Sequence, residues 1–357
     1  MYDENRLFIN SFAVPSSGQP LKMAELPRHP SDVIRDSALI AHSCRTVAEA
    51  AASVHDDSLR RACFDLLSDP RLRFLKRWDD PDKAARLHGQ LVRRGLIDPA
   101  KTSAADLFPP EGPVQPFETT PGSGWDSHHA YPGGLAVHVA LNIDTSLFYC
   151  DMYQRYFGCR LDRDAIITAQ IAHDIAKCQV HSWTPDGTFR TDYPVSGKGG
   201  HLVMSLAESI ERGLPASVIL AQACAHVASN KPEKEAEVVD CLAVAALMAE
   251  RDPVELGLLA PGGAALPKPH RQEWFVVHFG DGDYVLSMPA ARRAVALLRR
   301  LAAEEYGMNE SDLNGARFNA FRNFVGAHLS FMKIDQACVA KGYEAACVLV
   351  VKNVLSD

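Results

Sequence analysis

The sequence predicts an all-α fold, a helical bundle with flanking helices and a small β-hairpin, and three observations carry that prediction. Apolar residues recur at helical spacing through most of the 357-residue chain. Pro- and Gly-rich stretches separate the periodic segments without interrupting them. One run, EWFVVHFGDGDYVLS (273–287), sets β-branched and aromatic residues around a Gly-Asp-Gly-Asp turn and reads as the hairpin.

The elements follow in order. Residues 1 to about 30 are rich in Pro and Ser and read as a surface wrap. Three amphipathic helical segments come next, VIRDSALIAHSCRTVAEAAASV, DSLRRACFDLLSD and DKAARLHGQLVRRGLI, each with one apolar face to bury. The stretch DLFPPEGPVQPFETTPGSG punctuates without packing and sets a lobe boundary, so residues 1–127 form a first region. Residues 128–257 form a second, a run of helices. Its first helix follows Gly133-Gly134 and stops at Gly158, and its second starts from Asp162 as N-cap. A polar loop with room for a short hairpin (181–200) leads to a third helix opened by His201; His226 ends a fourth and Asp240 lies inside a fifth. Residues 258–357, with the hairpin and further helices, make the third region.

Composition narrows the function. Hydrophobic residues at 47% support a well-buried core, and a net charge of −7 argues against broad nucleic-acid binding while leaving room for a small phosphorylated substrate. The nine cysteines form no CxxC pair and fit a reducing, cytoplasmic setting. The first twenty residues carry acidic groups where a signal peptide is basic, and the longest apolar run, CLAVAALMA, is too short to span a bilayer. A homo-oligomer is left open.

The chemistry centres on His173 and Asp174, adjacent in the apolar stretch ITAQIAHDIAK. Buried bare, they would cost several kcal/mol, on the order of that for any unpaired polar group, so they require partners. His138, His201, His226 and Asp240 stand at intervals in helical segments, and the six side chains could surround two divalent cations. Lys177 lies one turn beyond the pair, where an ammonium could meet a phosphoryl oxygen. His128 and His129 line a pocket, give a proton to a leaving group, or merely cap the approach to the helix; Lys198 contacts phosphate or is a solvated loop residue. Trp183 stacks on a base or packs its loop.

The order H…HD…H…H…D resembles the HD-domain superfamily of metal-dependent phosphohydrolases. HDIAK is similar to its HDIGK-type signature, with Ala176 for Gly, and HHAYPGGLAVHV resembles the entry to HD domains of YhaM-type exoribonucleases and some relaxase-associated proteins. The OB-fold of those exoribonucleases does not show in the first 127 residues. The resemblance covers about 130 residues, on the order of one domain, and implies an HD metal-binding core over 128–257. It also implies that His138, His173, Asp174 and Asp240 hold a first metal, that Asp174 bridges, and that His201 and His226 complete a second site. The ions would be Fe, Mn, Co, Ni or Zn, given mixed imidazole and carboxylate donors. Asp174 and Lys177 would be catalytic, and His128, His129 and Lys198 would bind a nucleotide or other small phosphoester. A diiron oxygenase and a nucleotide-sensing, non-enzymatic module are the alternatives.

Overall fold

Several helices start where a Ser, Asp or Asn side chain can satisfy the free backbone amides. In the computed structural model, which describes residues 20–109, 112–190, 192, 194–195 and 198–357 apart from the side chains of Pro194 and Lys198, the fold is all-α. After α1 (Pro30–Ile34), Ser37 caps α2 (Ala38–Ser53), Asp56 caps α3 (Asp57–Ser68) and Asp80 caps α4 (Pro81–Arg93). Then come α5 (Gly134–Phe157), α6 (Arg163–Ala172) and the single turn α7 (Lys177–Val180). Gly158 closes α5 at φ +67° and Asp162 accepts from the amide of Ala165 to cap α6, both as the sequence predicts.

Next are α8 (Gly200–Glu211), α9 (Ala216–Ala223), α10 (Pro232–Met248) and α11 (Gln272–Gly280). The chain finishes with α12 (Tyr284–Tyr306), α13 (Glu310–Leu313), α14 (Ala316–Leu329), α15 (Phe331–Lys341) and α16 (Tyr343–Val351).

Among the described residues, strand structure amounts to two two-residue pairs and an isolated antiparallel bridge between Trp183 and Phe189. β1 (Leu21–Lys22) runs parallel to β4 (Val354–Leu355), and β2 (Pro194–Val195) runs antiparallel to β3 (Lys198–Gly199) within the polar loop. The hairpin expected over 273–287 does not form: α11, a 3₁₀ turn at Asp281–Asp283 and the start of α12 occupy that run. The reason is visible in its burial. Glu273, Trp274, Val276, Val277 and Gly280 are buried, a helical stripe that packs on α5. β-propensity measures fit to a half-buried pleated surface, and here the available surface is a helix.

Two apolar clusters fill the interior. One runs from Val47 to Val277 and joins α2 to α11. The other, from Met23 to Val354, joins the start of the described chain to α12 and α14–α16, and takes in Tyr131, two residues past His129. The candidate site lies among the ends of α5, α6, α8, α9 and α11. Among the described residues no helix is long and apolar enough to cross a membrane, and no disulfide joins any of the nine cysteines.

Candidate metal centre

Neighbouring residues in a continuous helix diverge by roughly 100°, yet His173 and Asp174 face one pocket. The chain leaves α-helical geometry at that point. His173 is the C-cap of α6, and the next amides bond three residues back, Ile175 N to Ala172 O at 3.3 Å and Lys177 N to Asp174 O at 2.9 Å. His173 Nε2 then lies 3.3 Å from Asp174 Oδ2.

Two groups of side chains meet around Asp174. His138, His173 and Asp281 form the deeper one: His138 Nε2 is 3.4 Å from His173 Nε2 and 3.0 Å from Asp281 Oδ1. Asp174, His201 and His226 form the other, with the two imidazole Nε2 atoms 3.1 Å apart. Asp174, a member of the second, also approaches the first. Its Oδ2 lies 3.2 Å from His138, and its Oδ1 lies 3.3 Å from His201 and 3.5 Å from His226. Side-chain exposure rises from 0% at His173 and 3% at His138 to 14% at His201 and 26% at His226, so one group is inner and the other outer.

The fourth ligand expected for the first metal, Asp240, is not among these side chains. Asp240 is exposed on α10 and joins neither group, because Val238, Val239, Cys241 and Leu242 take the buried face of that helix. Its place is held by Asp281, just past α11, which the hairpin reading had hidden in a turn. Gly280 makes the approach close: a Cβ there would stand 2.1 Å from Ser146 Oγ and 2.5 Å from Gln170 Nε2. Asn142 also reaches the pocket unanticipated, donating to Asp281 Oδ1 at 3.0 Å.

The donor atoms suit divalent cations. His173 Nδ1–H donates to Gln170 O at 2.8 Å and His201 Nδ1–H to Asp192 Oδ2 at 2.5 Å, which turns each Nε2 lone pair toward the pocket. His138 Nδ1, His226 Nδ1 and Asp174 Oδ1 are buried without a hydrogen-bond partner among the described residues. The carboxylates favour positive charge here. Burial opposes a charged His173 ring, but Asp174 and Asp281 outweigh it and lift the group to about 10, so without a metal Nε2 holds a proton that a bound cation would have to displace. Burial likewise works against charged Asp174 and Asp281, yet His173 and Lys177 hold the first, and His226 with His138 the second, well below the usual carboxylate range. Imidazole and carboxylate converging on one point is a donor set for first-row divalent metals.

The remaining expected residues fall as follows. Lys177 is buried, pairs with Asp174 Oδ2 and donates to Gly122 O at 2.6 Å. His129 donates from Nε2 to Asp283 Oδ2 at 2.8 Å, with Nδ1 3.2 Å from Tyr131 Oη. His128 stands beside His138, ring centroids 5.4 Å apart, with Nδ1 3.0 Å from Ser127 Oγ. Burial and the neighbouring His138 and His129 push its ring down to about 2, so it stays neutral. Trp183 donates to Thr119 O at 2.9 Å and meets Phe189 edge-on, a packing arrangement. Lys198 lies in β3, and its side chain is outside the described residues.

Fold and pocket together define a class: an all-helical protein whose helix ends gather two groups of His and Asp that could hold metal ions. Over 99 residues the chain is 34% identical to the dihydroneopterin 2',3'-cyclic phosphate phosphodiesterase of Methanocaldococcus jannaschii, a match covering 28% of this chain. It spans 39% of that relative's length. No family profile and no solved structure matches the chain.

Proposed function

We propose that this chain is a metal-dependent phosphohydrolase of the HD superfamily, acting on a small phosphoester such as a cyclic phosphate or a nucleotide. The observation that carries the reading is Asp174, whose two oxygens face two different groups of imidazoles. The similarity to a cyclic-phosphate phosphodiesterase supports the reaction class.

His138, His173 and Asp281 would hold one cation and His201 with His226 the other, Asp174 reaching both. When bound, the ions supply Lewis-acid stabilisation of phosphoryl oxygens and acidify a water. The chain's own groups do the rest. Gln170 O and Asp192 fix the proton of His173 and His201 on Nδ1 and so keep each Nε2 a lone-pair donor. Lys177 uses two of its three N–H bonds on Gly122 and Asp174, which holds the shared carboxylate in place and leaves one donor for a phosphoryl oxygen. With the Ser127 hydroxyl donating to His128 Nδ1, the neutral His128 ring carries its proton on Nε2 and can donate a hydrogen bond from there to a phosphoryl or leaving-group oxygen. His129 is braced by Asp283 and Tyr131 and shapes the wall.

The test is metal depletion with EDTA followed by restoration of Mn, Fe, Co, Ni or Zn singly, assayed on bis-p-nitrophenyl phosphate and 2',3'-cyclic mononucleotides. Activity should vanish and return with metal, and Asp174→Ala should stay inactive throughout. Hydrolysis that survives both treatments rules the reading out.

A further inference from the structure

Far along the chain, α14 carries Asn319, Arg322 and Asn323 on one face, all buried, at helical spacing of three and four residues. Arg322 is 2% exposed and hydrogen-bonds no carboxylate among the described residues; burial pulls its guanidinium down to about 9, and Asp126 offsets part of that through its charge. A buried cation so placed is costly, and a methionine would fill the space without that cost. Its hydrogen bonds show what the fork does. Nη1 donates to Ala130 O and Nη2 to Trp125 O, each at 2.7 Å, and the guanidinium lies 3.8 Å over the Trp125 ring. The two prongs therefore close the segment 125–130 from both ends.

That segment contains His128 and His129, and His129 sits at φ +50°, a left-handed conformation that a side chain adopts only when its surroundings hold it there. The neighbouring asparagines grip a second loop. Asn319 donates to Asp186 O at 2.9 Å and Asn323 to Gly187 O at 2.7 Å. This loop leads from Lys177 to Asp192, the carboxylate that orients His201.

We propose that Arg322 is a positioning residue for the candidate site: from the C-terminal helices it fixes the loop that presents His128, while Asn319 and Asn323 fix the loop behind His201. The role in turnover rests on the hydrolase reading; the clamp itself does not. Arg is suited to it because a planar fork can bond two carbonyls at once, which an ammonium on a flexible stem cannot do in the same geometry.

The test compares wild type, Arg322→Lys and Arg322→Met by metal content, amide hydrogen exchange and kinetics on bis-p-nitrophenyl phosphate. Exchange in 125–130 should quicken about tenfold or more in both variants while α5 and α6 stay protected. With metal content unchanged, kcat should fall about a hundredfold and KM move less than about twofold, the signature of a misplaced group and not of lost binding. Should the Met variant fail to fold, the Lys variant carries the test alone. Unchanged exchange in 125–130 overturns the proposal, as does faster exchange with kcat intact. If the wild-type enzyme hydrolyses nothing, the hydrolase reading has failed and the exchange result by itself decides the clamp.

Discussion

Replacing Asp281 by Asn keeps the shape of the side chain and removes its charge, and it separates the acid found in the pocket from the one expected there. Asp281 Oδ1 lies 3.0 Å from His138 Nε2 and 3.5 Å from His173 Nε2, while Oδ2 lies 3.5 Å from His226 Nδ1. A cation shared with those nitrogens would sit within a few ångströms of the carboxylate. A carboxylate and a divalent cation about 4 Å apart interact by about 8 kcal/mol at an effective dielectric near 20. Desolvation of the carboxylate returns part of that, and about 3 kcal/mol remaining corresponds to roughly a hundredfold in affinity. Asp240→Asn, on the exposed face of α10, removes the same charge with no ligand to lose. Isothermal titration of each variant with Mn²⁺ or Zn²⁺, beside metal content after purification, should show weak binding for Asp281→Asn and wild-type binding for Asp240→Asn. The opposite pattern, or equal binding by both, refutes the placement of Asp281 in the centre.

Three further outcomes are expected. Burial, with Lys177 and His201 adding to it, holds His181 down from 6.5 to about 4, so between those values only the unfolded chain takes up the proton. Stability should therefore drop as pH falls through this window, by about 1.4 kcal/mol per unit and about 3 kcal/mol in all; urea unfolding of His181→Gln should lose that slope, and an unaltered slope counts against the assignment. Asp192→Asn removes the carboxylate behind His201 Nδ1 and should weaken metal binding about ten- to hundredfold, read by the same titration; unchanged binding would separate Asp192 from the centre. At Gly134 a Cβ would stand 1.7 Å from His129 O and 2.9 Å from Gly122 N, so Gly134→Ala should cost about 1–3 kcal/mol in thermal unfolding and lower activity; a wild-type melt would contradict the packing described.

The all-helical fold was legible because helical periodicity persists over long segments and Asp162 and Gly158 bound them as caps should. His138, His173, Asp174, His201 and His226, which the structure gathers, were legible because each is a polar side chain in an otherwise apolar helical segment. Asp240 satisfies the same description locally, but Glu233 and Glu237 stand seven and three residues before it, on the same face, and mark that face as the solvated one. Asp281 was hidden for a different reason. Its neighbours, Trp274 to Val277 and Tyr284 to Leu286, favour strands by composition, and only packing on α5 makes the first of them helical. Asp192 and Arg322 could not be read at all, since each acts across a long sequence separation on a backbone or ring that pattern alone does not locate.

The graded burial of the pocket has a kinetic consequence. If two cations bind as proposed, the one held by His138 and His173 would sit farther from solvent than the one held by His201 and His226. A chelator should then remove the ions in two phases, the slower one belonging to the ion held with Asp281.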